Sequence, residues 1–165
     1  MDELILVDHN KLSRDLAHLS SSVSEIVDHH KDMGEYHKVS GDRRNIAFEG
    51  DIATAGSVCT LIFEKYTDAN SSFSTSLLDD TISTLLMGVI ALDTQNMSPE
   101  AGKGTKRDEN ALKYLQNISS QNIDTLFTSL RDAKSDPSFW LSLSAEDCLR
   151  LDFKAFTTAT STNIG

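Results

Sequence analysis

Two short apolar runs of this 165-residue chain end in the same polar pair. "LILVDHN" at residues 4–10 delivers Asp8-His9-Asn10, and "VSEIVDHH" at residues 23–30 delivers Asp28-His29-His30. Carboxylates and imidazoles together suit borderline divalent cations such as Mn²⁺, Co²⁺ or Zn²⁺, and one carboxylate can bridge two cations ~3.5–4 Å apart. In that chemistry Asp8 is the candidate bridge and His29 and Asp93 are candidate metal ligands. His30 stays off the metal as a proton donor or phosphate contact. Asp28 would orient His29, or its own strand end, by a hydrogen bond behind the ligands. A lone Asp-His at a strand end is usually a solvated turn, whereas two in one unit, joined by a third acid after an apolar segment, favour a functional cluster.

The elements that would carry these residues follow from periodicity. Each run has the Val, Ile and Leu content of a buried strand and stops at residues that strands disfavour. In open α/β sheets the carboxyl ends of strands line the ligand crevice, so Asp8, His9, Asp28, His29 and His30 would meet there. Between the strands, Leu12, Leu16 and Leu19 fall on one side of a short helical segment, which makes a βαβ unit. Residues 31–50 are polar and Gly-punctuated, a connection with room for a short strand at 45–48. A helix begins after Gly56-Ser57, small residues that would suit an anion, although an ordinary helix start is the commoner role. The apolar segment through Ile82, Leu85, Leu86, Val89, Ile90 and Leu92 predicts a buried helix delivering Asp93.

"GKGTKR" at 102–107 is a basic, Gly-rich loop lacking the full P-loop spacing; Lys103, Lys106 and Arg107 would add positive charge near a polyanion. Helices are predicted at 108–118 and 123–133, and Pro137 ends the second. Ser144 and Asp147 form a capping-box variant that opens a final helix or a second domain. The tail at 157–165 is small and polar.

With 15 Lys and Arg against 25 Asp and Glu the net charge is -10, which argues against an extended nucleic-acid surface. The same acidity requires bound cations or local basic residues for any phosphate substrate. The two cysteines, Cys59 and Cys148, sit amid apolar neighbours without zinc spacing and read as reduced core residues. No apolar run is long enough for a bilayer, so a cytoplasmic chain without membrane partners is expected.

"LVDHN" at 6–10, "VDHH" at 27–30 and "ALDTQNM" at 91–97 resemble, in order and spacing, three of the four signature motifs of the DHH phosphoesterase superfamily. "LDTQNM" followed by "GKGTKRD" is closer to its exopolyphosphatase and Prune branch than to the related family II inorganic pyrophosphatases. "LSAEDCLRLDFKAF" at 143–156 looks like the opening of the DHHA2 domain. The resemblance implies an α/β fold with a Rossmann-like parallel sheet. It assigns residues 1–136 to a partial DHH domain, and 137–165 to the start of DHHA2 and a disordered tail. It implies hydrolysis of phosphoanhydride bonds in short inorganic polyphosphate or pyrophosphate, supported by Mn²⁺ or Mg²⁺. Asp8 is similar to the metal-bridging aspartate, His29 and Asp93 to metal ligands, and His30 to the substrate-facing histidine. Gly56, Ser57, Lys103 and Arg107 are candidate substrate contacts. The family's Asp-x-Asp motif is absent from this sequence. The expectation is therefore a sheet lacking its first strand or strands, an incomplete two-metal site and a poor enzyme. The alternative is a non-enzymatic, Prune-like regulatory protein with signalling partners.

Overall fold

The computed structural model describes residues 3–68 and 77–151, and the backbone alone at 156–157 and 163–164. β1 (Leu4–Val7) and β2 (Val23–Asp28) pair in parallel, with a register shift between Leu4 and Ile5 that leaves Val7 level with Val27. That register brings Asp8 and Asp28 out at the same end of the sheet, as the two apolar runs predict. The Asp8 N–H extends the ladder by donating to the Val27 carbonyl at 3.0 Å. β3 (Arg44–Ile46) adds a third parallel strand on the far side of β2. The strand expected at 45–48 thus divides: its first part joins the sheet, and Phe48 enters an antiparallel hairpin of β4 (Phe48–Glu49) and β5 (Ile52–Ala53).

The segment joining β1 to β2 is a 3-10 helix, Arg14–Ser22, rather than an α-helix. Leu12 is buried and Leu19 packs beside it, but Leu16 is exposed. Leu12 precedes the helix and does not share its phase, so the three leucines do not form one face. Leu6, Leu12, Val23, Ile26 and Val39 make the core on this side.

α1 (Val58–Thr67) begins where expected, with Ser57 as N-cap, and packs Val58 and Leu61 against Val27, Ala47 and Ala55. Its Phe63 meets α2 (Asp80–Asp93) and α3 (Lys106–Gln116) in a second core of Leu86, Met87, Ile90, Ala111, Leu112 and Leu115. Each of the larger side chains contributes ~1.5–3 kcal/mol on burial, which fixes α1 between the sheet and the helices. α2 is buried along one side only. Ile82 and Leu85, expected inside, are exposed because α1 and α3 cover the Leu86, Met87 and Ile90 stripe and nothing described covers the flank.

The chain divides into two compact units, Met1–Thr128 and Ser129–Gly165. α4 (Ile123–Lys134) runs into the second. Pro137 does end α4, and it also begins α5 (Pro137–Ser142), with the Asp136 carboxylate accepting from Ser138 N–H. Proline suits a first helical position, where its missing N–H costs nothing. α6 (Ala145–Leu151) carries the expected capping box: Ser144 Oγ accepts from Asp147 N–H, and the Asp147 carboxylate accepts from Ser144. Cys148, on α6, is exposed, contrary to its expected place in a core. Apolar neighbours in sequence do not share a face on so short a helix. Within the tail, β6 (Phe156–Thr157) and β7 (Asn163–Ile164) pair in antiparallel fashion; its remaining residues lie outside those described. Among the described residues no helix is long and apolar enough to cross a membrane.

Candidate metal and phosphate site

The two strand ends converge. Asp8, His29 and His30 each offer one ligand atom, all within 4.8 Å of one another, and they form the one such group of three among the described residues. Asp8 sits just past β1 at φ 65°, a left-handed conformation that Asp adopts more readily than most residues. Its carboxylate is exposed, with Oδ1 3.2 Å from His29 Nε2 and 3.8 Å from His30 Nδ1. The two imidazoles meet edge to face with centroids 4.3 Å apart. His9 turns away: its Nδ1 bonds the Val7 carbonyl at 2.9 Å and its ring is exposed.

The rings are held from behind by different partners. His29 Nδ1 bonds the Ala55 carbonyl at 3.3 Å, so the neutral ring carries its proton there and aims the Nε2 lone pair at Asp8. A lone pair facing a carboxylate is a donor set that fits a shared cation. Asp28 is fully buried, and its Oδ1 accepts from His29 N–H at 2.8 Å, His30 N–H at 3.2 Å and His30 Nδ1 at 2.8 Å. The strand end is therefore tied as expected, and the imidazole that Asp28 reaches is that of His30. Its Oδ2 accepts from the buried amide of Asn10 at 2.6 Å.

Asp93, the last residue of α2, stands outside the tight triplet. Its Oδ2 accepts from Ser57 Oγ at 2.5 Å, while that same hydroxyl accepts from Cys59 N–H at the mouth of α1. Cys59 connects the two places electrostatically. Burial, then the carboxylates of Asp93 and Asp8, push its thiol up to about 11. The Ser57 hydroxyl is thus engaged within the chain, and so are Gly56 and Arg107. Gly56 N–H donates to Asp108 Oδ2 at 2.8 Å, and a Cβ at Gly56 would collide with the Lys103 carbonyl and approach Thr94 Cγ2 to 2.9 Å. Lys103 contributes that backbone contact while its side chain is exposed. Arg107 makes a two-point pair with Glu64, at 2.8 Å through Nε and 2.5 Å through Nη2.

Two organising residues carry weak sequence signals. Asp108 is fully buried and accepts from Gly56 N–H, Thr60 Oγ1, Thr105 N–H and Thr105 Oγ1. Burial raises its carboxyl, but the hydrogen bonds from Thr105, Thr60 and Gly56 outweigh that and hold it below the ordinary range. The Thr105-x-x-Asp108 capping box was its available signal. Asn10 announces itself only as a polar residue after Asp-His; that it is buried emerges from the fold.

Known proteins bear on this geometry. No protein-family model matches the chain. It is 31% identical over 158 residues to "Exopolyphosphatase PRUNE1" of Bos taurus, covering 93% of this chain and 31% of that protein. The Homo sapiens protein of the same name is 31% identical over 156 residues, covering 92% and 30%. The chain spans about a third of the length of the curated relatives it matches. Among solved structures it resembles "Crystal structure of Methanococcus jannaschii putative family II inorganic pyrophosphatase", with a TM-score of 0.70 and 25% identity. That match covers 98% of this chain and 50% of the other. With Asp-His ends on parallel strands, the chain is similar along nearly its whole length to Prune exopolyphosphatases and shares the fold of a family II inorganic pyrophosphatase, as its resemblance to the DHH phosphoesterase superfamily implies.

Proposed function

We propose that this chain carries the phosphoanhydride-hydrolysing site of a Prune-like exopolyphosphatase, acting on short inorganic polyphosphate or pyrophosphate with Mn²⁺ or Mg²⁺. The observation that carries the proposal is the facing of His29 Nε2 and Asp8 Oδ1 at 3.2 Å, with the other His29 nitrogen already spent on Ala55. Asp8 and His29 would hold the cation, with Asp93 as a further ligand through the oxygen that Ser57 does not occupy. A divalent cation there supplies the positive charge that a chain of net charge -10 otherwise lacks, and it polarises phosphate oxygens.

The protein's own residues do the rest. Asp28 holds His30 by Nδ1, so that the exposed ring, when doubly protonated, would give its Nε2 proton to a departing phosphate oxygen and be left with the Nδ1 proton facing Asp28. Asp8, in a left-handed conformation at a strand end, presents its carboxylate outward rather than into the core. The half-buried neutral thiol of Cys59 leaves the oxygen and nitrogen donors to define the site. A cytoplasmic setting goes with this chemistry and with free cysteines.

Calorimetric titration with Mn²⁺ and phosphate release from tripolyphosphate and pyrophosphate test the proposal together. Mn²⁺ binding is expected in the wild-type chain and weakened about 10- to 100-fold by Asp8→Ala. Slow phosphate release should disappear in both Asp8→Ala and Asp93→Ala. Mn²⁺ binding that survives Asp8→Ala unchanged, or phosphate release indifferent to both substitutions, would overturn the assignment.

A further inference from the structure

Asn10 is 3% exposed, and its amide group has a donor or acceptor at each side. Its Nδ2 donates to Asp28 Oδ2 at 2.6 Å and to the Lys31 carbonyl at 3.0 Å, while Oδ1 accepts from Met33 N–H at 2.8 Å. Two acceptors and one donor around the group permit only this orientation of the amide. The consequence falls on Asp28. With Oδ2 engaged by Asn10, the carboxylate turns Oδ1 toward the following turn, where it meets His29 N–H, His30 N–H and His30 Nδ1.

We infer that Asn10 is a positioning residue for His30: by orienting the buried Asp28 carboxylate it fixes the His30 ring plane and places the ring proton on Nδ1. Its meaning for catalysis rests on His30 acting as the proton donor proposed above. An exposed imidazole is otherwise free to turn, and its side-chain hydrogen bond is the one to Asp28. Without Asn10 the buried Oδ2 loses its donor, so the carboxylate gains by rotating to share the remaining N–H groups. His29 supplies an internal control, because its Nδ1 is held by the Ala55 carbonyl, a contact in which Asn10 takes no part.

The test reads both rings in the metal-free full chain by long-range ¹H–¹⁵N spectroscopy, at about pH 9, above the ordinary value for a free imidazole. In the wild type both His29 and His30 are expected to carry the proton on Nδ1. In Asn10→Ala, His30 should shift toward the Nε2–H tautomer while His29 keeps its signal. If the alanine variant does not fold, Asn10→Ser keeps a polar group too short to reach Asp28 and carries the same expectation. An unchanged His30, or a change of both rings together, would overturn the inference; the second result would mean that Asn10 merely supports the fold. Phosphate release is a separate readout. A fall of about tenfold in kcat with KM unchanged is expected for Asn10→Ala. If His30 alone shifts but no variant, nor the wild type, releases phosphate, positioning stands and the hydrolytic assignment falls.

Discussion

The same dipeptide plays opposite parts at the two strand ends. At the end of β1 the aspartate is exposed and left-handed, and the residue two positions on, Asn10, is buried. At the end of β2 the aspartate is buried and the residue two positions on, His30, is exposed. Depth in the sheet makes the difference. Among the described residues β1 lies at an edge and its terminal carboxylate reaches solvent, whereas β2 is flanked by β1 and β3 and its carboxylate emerges inside. A buried carboxylate must collect donors, and Asp28 collects four: Asn10 Nδ2, two backbone N–H groups and His30 Nδ1. One end thus supplies a ligand and the other supplies the frame that aims the rings.

The largest expected effect tests that asymmetry directly. Asp28→Ala should lower stability by about 3 kcal/mol, because it strands buried donors, whereas Asp8→Asn should stay within about 0.5 kcal/mol while weakening cation binding about tenfold or more. Urea denaturation of both variants checks this, and comparable losses would break the comparison.

Asp108 extends the contrast to the helical side, since it too is buried with four donors. Asp108→Asn should cost about 2 kcal/mol at neutral pH. Its carboxyl is held below the ordinary range, so its contribution is fully present above about pH 4 and is lost as the pH falls through the depressed native value. The difference between wild type and Asp108→Asn should therefore narrow on acidification; a gap that widens toward acid would contradict the assigned charge state.

Backbone strain gives a smaller effect. Gln95, Asn96 and Met97 follow Asp93 in three consecutive left-handed conformations, of which asparagine tolerates its own best. Gln95→Gly should raise stability by about 0.5–1 kcal/mol in thermal unfolding, by relieving strain at an exposed position. The smallest effect concerns Cys59. Burial and Asp93 outrank Asp8 in raising its thiol, so Asp8→Asn should speed alkylation of Cys59 only a few-fold. Mass spectrometry after timed labelling reads the rate, and no acceleration at all would separate the thiol from the strand end.

Much of the scaffold was legible before folding. Both strands, the Ser57 start of α1, the helix ending at Asp93 and the Ser144 capping box follow from signals only a few residues long. Side-chain exposure was less legible, because periodicity reveals that a face exists without revealing what covers it. Leu16, Ile82, Leu85 and Cys148 have apolar surroundings in sequence and solvent in space. Asn10 is the converse, a polar residue made internal by its neighbours.

By itself, the sequence determined where the strands stop and which acids and imidazoles stand at their ends, since hydrophobic patterning and caps act over adjacent residues. The tertiary structure decided which aspartate is buried, which ring Asp28 holds and that Asn10 stands behind it. Those outcomes depend on strand order and on partners 18 or more residues away, where desolvation obliges each buried charge to find its donors.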